Sequence, residues 1–145
     1  MRKTRQLAMQ LLFLWDTGGA NDPATTGQLT HDVSDDEILR KRAVEMATGA
    51  WEQREVSDRW VERLAPLWPP HRQPVVDRNI LRLAVWEMTN TPTDARIVID
   101  EAVELAQEYS TAQSDAFING VLDSILKEHT ALIAHTPAPD SQPQS

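Results

Sequence analysis

Val75-Val76-Asp77-Arg78-Asn79-Ile80-Leu81-Arg82-Leu83-Ala84-Val85-Trp86-Glu87-Met88 repeats its apolar residues every three to four positions. That period belongs to an amphipathic α-helix, whereas a strand would alternate every second residue. The spacing turns Val76, Ile80, Leu83, Ala84 and Val85 toward a core and leaves Asp77, Arg78 and Arg82 elsewhere on the circumference. So apolar a helix belongs at the centre of a bundle. Pro66, Pro69, Pro70 and Pro74 come just before it, a cluster that no helix interior holds, because each proline lacks an amide donor.

Working outward, the same spacing predicts helices on both sides. The first runs from about Thr4 to Thr17 with Leu7, Ala8, Leu11, Leu12 and Trp15 inward, and stops at Gly18-Gly19. A polar loop with Pro23 and several threonines is expected over Ala20–Val33. Ser34, followed by Asp35-Asp36-Glu37, reads as a helix start, because a hydroxyl can cap free amides and acids favour the positive end of the dipole. That helix uses Ile38, Leu39, Ala43, Val44, Met46, Ala47 and Trp51, and a shorter one follows over Ser57–Leu67 with Trp60, Val61 and Leu64 inward. After Pro92, Thr93-Asp94 caps a helix with Val98, Ala102, Leu105, Ala106 and Tyr109 in one stripe, leaving Asp100, Glu101, Glu104 and Glu108 to solvent. Ser114 opens the last, carrying Phe117, Ile118, Val121, Leu122, Ile125 and Leu126. Its Gly120 is expected at a close helix contact, since a mid-helix glycine otherwise costs about 1 kcal/mol. Hairpin signals between alternating stretches are missing. The chain therefore reads as all-α, a single domain over residues 1–135 with a disordered tail over 136–145.

With 145 residues and 41% hydrophobic content the chain can bury one core unaided. It has no cysteine, which excludes disulfides and thiolate metal sites. The apolar run Leu7–Trp15 is short and broken by Gln10, so no membrane segment is expected and the chain reads as cytoplasmic. The net charge of -8 argues against indiscriminate coating of nucleic acid, because the phosphate backbone repels an acidic protein. Its distribution matters more than its total. Residues 94–145 hold nine acids against Arg96 and Lys127, whereas Arg2, Lys3 and Arg5 crowd the N-terminus and Arg40-Lys41-Arg42 form a second basic cluster.

No catalytic constellation emerges. None of the four histidines has a Glu three residues earlier, His-Glu-x-x-His and the glycine-rich phosphate loops are missing, and Asp16–Gly27 lacks the ligand order of a calcium loop. Glu101 with Glu104 or Glu108 has no nucleophile or base beside it. No enzyme, metal or cofactor is expected. Five tryptophans sit at positions that suit core packing, Trp68 in the proline-rich turn excepted.

The opening Arg2-Lys3-Thr4-Arg5-Gln6-Leu7-Ala8-Met9-Gln10-Leu11-Leu12-Phe13-Leu14-Trp15, the block Asp77–Glu87, and above all Ile99-Asp100-Glu101-Ala102-Val103-Glu104-Leu105-Ala106 followed by Phe117-Ile118-Asn119-Gly120-Val121-Leu122-Asp123 resemble the NusB transcription antitermination family. The likeness runs in order from about Arg2 to Lys127. It implies a compact bundle of six to seven helices in two small subdomains, and an RNA-binding adaptor. Such an adaptor pairs with the small-subunit ribosomal protein NusE, grips boxA RNA of nascent rRNA transcripts and helps assemble an antitermination complex on RNA polymerase. The resemblance leaves monomer and homodimer open.

Under that resemblance Arg2, Lys3 and Arg5 are the RNA-binding candidates, since cations at a helix N-terminus reinforce the dipole that attracts phosphate. Phe13 and Asp77 match positions that contact NusE, with Arg82 and Glu87 on the same helix as Asp77. Three phosphate contacts at a salt slope of about 0.7 each imply weak binding by the isolated chain and a need for the partner. The alternative keeps the fold and drops RNA: a protein–protein adaptor whose acidic C-terminal helices meet a basic partner. The N-terminal basic stretch is thinner than the richest in the family, and residues 18–34 carry little similarity.

Overall fold

The computed structural model describes residues 1–19 and 22–135, and the tail expected to be disordered lies outside the described residues. Seven α-helices are found among the described residues: α1 Arg2–Leu14, α2 Pro23–Val33, α3 Glu37–Glu52, α4 Arg54–Leu64, α5 Val75–Asn90, α6 Ala95–Tyr109 and α7 Ser114–His135. There is no strand among the described residues.

α5 is the axis. It packs against α1, α3, α4, α6 and α7, and its apolar residues Ile80, Leu81, Leu83, Ala84 and Val85 are all buried. On one side α1 pairs with α3, and α2 lies against α1; on the other α6 and α7 form a hairpin that α4 joins through α7. These two groups are the small subdomains, sharing one core through α5. Arg5 reaches Glu87 near the end of α5, while Asp16, just beyond α1, reaches Asn79 near its start, so α1 runs antiparallel to α5.

Enclosure by five helices leaves α5 no solvent side, and this corrects the sequence reading. Asp77, Asn79, Arg82 and Glu87 are buried together with the apolar residues rather than turned away from them. Buried polar groups persist only when partnered. Every one of these four is.

The expected loop before Ser34 is also revised, since residues 23–33 are helical. Asp22 caps α2 by accepting from the amides of Ala24 and Thr25 at 3.2 Å, and Pro23 occupies the first turn, where its missing amide costs nothing. Thr25, Thr26 and Gly27 are poor helix formers, so the helix draws on tertiary contacts. The Trp15 indole donates to Thr26 Oγ1 at 3.0 Å, and Leu29 and Val33 pack on the core. Between α1 and α2 the chain makes a widened turn over Trp15–Gly19, where Gly18 takes φ +114°. Only glycine reaches that backbone region without strain.

Smaller differences follow the same logic. Asp36, not Ser34, caps α3, accepting from Ile38 and Leu39, and Ser34 Oγ accepts from the Asp36 amide instead. Ile38 is exposed. α4 begins at Arg54 and ends at Leu64, earlier than expected at both ends. Gly120 is exposed, with nothing near the place a Cβ would take; the close contact belongs to Gly49, where a Cβ would overlap the Trp86 ring. Four tryptophans pack against the core as expected, and Trp68 stands out from the proline-rich turn.

Candidate nucleic-acid and partner interface

Arg2, Lys3 and Arg5 share a sequence cluster but not an environment. Arg2 is exposed, and its guanidinium is held by the Glu104 carboxylate on α6. Lys3 is exposed and has no ion pair among the described residues. Arg5 is 5% exposed, and its guanidinium forks onto Glu87, Nε to Oε1 at 2.9 Å and Nη2 to Oε2 at 2.5 Å, with Glu101 at 3.9 Å. The Glu87 hydrogen bond holds the Arg5 pKa above its ordinary value, burial opposing and the charges of Glu87 and Glu101 assisting. A guanidinium with its fork filled by a buried carboxylate has little left to offer a phosphate. In this structure Arg5 clamps α1 to α5.

The start of α1 keeps its own attraction for anions. Met1 provides no side-chain cap and the first turn holds no acid, so amides there lack helical partners and the positive end of the dipole faces outward. Arg2 and Lys3 stand on that end.

The partner-binding candidates divide in the same way. Glu87 is 2% exposed and committed to Arg5. Asp77 is equally buried; it accepts from the hydroxyls of Ser110 and Ser114, the latter at 2.8 Å, and so ties α5 to the turn between α6 and α7. Arg82 donates to both oxygens of Asp58, at 2.9 and 2.7 Å, and lies 3.2 Å from Asp16. All three side chains are held inside by the enclosure of α5.

Phe13 does reach the surface, at 40% exposure. It edges a groove of about 380 Å³ whose lining is almost wholly apolar, shared with Met9, Leu14, Leu29, Val76 and Tyr109. Gln10 lines the same groove, and its side-chain oxygen is buried without a hydrogen-bond partner. An apolar trough of this kind suits a partner that brings an apolar side chain.

A second, partly buried network has, apart from Arg82, no counterpart among the residues singled out from the sequence. Asp16 accepts from Arg78, at 2.8 and 2.6 Å, and from Asn79 at 3.0 Å, and with Arg82 and Asp58 it joins the end of α1 to α4 and α5. Burial pushes the Asp16 pKa up, but the hydrogen bonds from Arg78 and Asn79 and the charges of Arg82 and Arg78 outweigh it and hold the carboxyl below its ordinary range. The available signal was Asp77-Arg78-Asn79 with Arg82 on an otherwise apolar helix. No three His, Asp or Glu side chains converge as a metal site among the described residues, and no described helix is long and apolar enough to cross a membrane.

Comparison with known proteins places these features in a family context. The NusB family model matches residues 2–127. The transcription antitermination protein NusB of Solibacter usitatus is 42% identical over 130 residues, covering 88% of each chain. Among solved structures, T. maritima NusB superposes with a TM-score of 0.74 at 32% identity, over 88% of this chain and 90% of the other. A chain from the crystal structure of antitermination factors NusB and NusE in complex with dsRNA gives 0.73 at 26% identity, over 88% and 96%.

Proposed function

The chain belongs to the NusB family, and from that membership we propose that it is an RNA-binding adaptor in transcription antitermination, pairing with the ribosomal protein NusE to hold boxA RNA of nascent rRNA transcripts in the cytoplasm. The solved NusB–NusE–dsRNA assembly supports both partners. One observation of this chain carries the reading: α1 presents open amides with Arg2 and Lys3 at its start and the Phe13 groove near its end. Eleven helical steps separate Arg2 from Phe13, about 16 Å at 1.5 Å per residue.

One helix thus offers RNA and protein contacts at a fixed separation. Each is modest alone. Joined on a rigid element they act together, because holding the first partner raises the effective concentration of the second. Arg5–Glu87 and the Asp16 network anchor the two ends of α1 to α5 and keep that separation constant. The role of the adaptor is assembly, with no bond made or broken and no catalytic residue assigned.

Anisotropy of labelled boxA RNA against this chain, NusE and their mixture tests the proposal. The mixture binds RNA more tightly than either protein alone. Replacing Arg2 and Lys3 together with Ala weakens RNA binding and lowers the salt slope by about 0.7 per lost phosphate contact, leaving NusE affinity unchanged. Phe13→Ala weakens NusE binding by about tenfold, as loss of an aromatic anchor does. NusE binding without any RNA synergy would refute the proposal in favour of a protein–protein adaptor.

A further inference from the structure

Resting on the RNA reading above, we propose that Glu104 is an internal competitor for phosphate at Arg2, so that this contact sets how conditionally the chain holds RNA. The pair ties the first residue of α1 to the middle of α6, and a carboxylate oxygen occupies the guanidinium where a phosphate oxygen would sit. Both acceptors are anionic and both favour the arginine fork, so binding one displaces the other.

Exposure makes the exchange feasible. The Arg2 and Glu104 side chains are 61% and 42% exposed, whereas those of Arg5 and Glu87 are 6% and 2%. An exposed ion pair opens at little cost; a buried one does not. Two arginines three residues apart therefore divide the work, one fixed and one exchangeable.

The surroundings strengthen the competition. α6 also carries Asp100 and Glu108, both exposed, and its one cation, Arg96, is engaged by Asp123 at 2.9 Å. A strand approaching Arg2 across α6 meets like charge, while Lys3, exposed and without an ion pair among the described residues, is free to receive it. RNA binding then begins on Lys3 and the helix start, and Arg2 transfers from Glu104 once a bound partner keeps phosphate close. The isolated chain stays a poor RNA binder.

The test measures boxA RNA affinity in the presence of NusE for Glu104→Gln, Arg2→Ala, the double variant, and Glu62→Gln on α4 as a control for net charge. Glu104→Gln binds about two- to fivefold more tightly at low salt, the range set by the strength of an exposed pair. The gain shrinks as salt rises, and it is missing in Glu62→Gln and in the Arg2→Ala background. Affinity of Glu104→Gln equal to or below that of the parent chain overturns the proposal, as does the same gain without Arg2, which would mark general repulsion. If Arg2→Ala weakens binding and Glu104→Gln gains nothing, competition alone fails. If Arg2→Ala changes nothing, the placement of RNA at Arg2 has failed, and the competition with it.

Discussion

Replacing Arg5 with Ala separates a structural clamp from an RNA contact. The change empties a fork on Glu87, which is 2% exposed and whose carboxylate has no other hydrogen-bond partner among the described residues. An unpaired carboxylate at that depth costs several kcal/mol, and breaking a buried pair by removing one member typically costs about 3–5 kcal/mol. Single domains are stable by only about 5–15 kcal/mol. At about 2–4 °C per kcal/mol for a domain of this size, the melting temperature falls by roughly 6–20 °C. Thermal and urea unfolding followed by circular dichroism read the loss. Arg5→Lys keeps the charge without the paired fork and falls in between, because an ammonium cannot reproduce two parallel hydrogen bonds. Removing both partners, as Arg5→Met with Glu87→Leu, recovers much of the stability, since no charge is then left stranded. An Arg5→Ala chain that melts within about 1 °C of the parent, yet binds RNA poorly, would refute the clamp and return Arg5 to the RNA face.

Two further outcomes follow from the buried contacts. Because the Asp16 carboxyl is held below its ordinary range, its contribution to stability is complete above the unfolded value near 4 and is lost as pH falls through the lower folded value; Asp16→Asn flattens that acid limb in melts recorded from pH 5 to pH 2. Gly49→Ala drives a methyl into the Trp86 ring and destabilises by about 1–2 kcal/mol, overpacking outweighing the better helix propensity of alanine, and Trp86→Phe in the same chain restores part of the loss in urea unfolding.

How much could be read from the chain differs between its helices. α5, α6 and α7 repeat apolar residues so regularly that period alone locates them, and Asp94 and Ser114 mark the starts of α6 and α7. α2 escaped because Pro23–Val33 carries almost no apolar period, and its helix rests on Asp22 and on Trp15, which reaches it from α1. Close packing was misplaced from Gly49 to Gly120 because glycine at mid-helix looks the same in sequence whether a neighbour lies against it or solvent does.

Family, helical class and an N-terminal concentration of positive charge follow from the order of residues alone. Each is a property of neighbours in the chain: period, capping, and charge counted along a segment. Which charges remain available does not. Arg2, Lys3 and Arg5 are equivalent cations in the sequence, yet packing α1 against α5 and α6 buries one on Glu87, lends another to Glu104 and leaves the third to solvent. Asp77, Arg82 and Glu87 read as polar positions on a helix surface until five neighbours enclose that surface and each must find a partner inside. The cost of an unpaired buried charge is set by what lies across from it in space. Only the tertiary structure determines that.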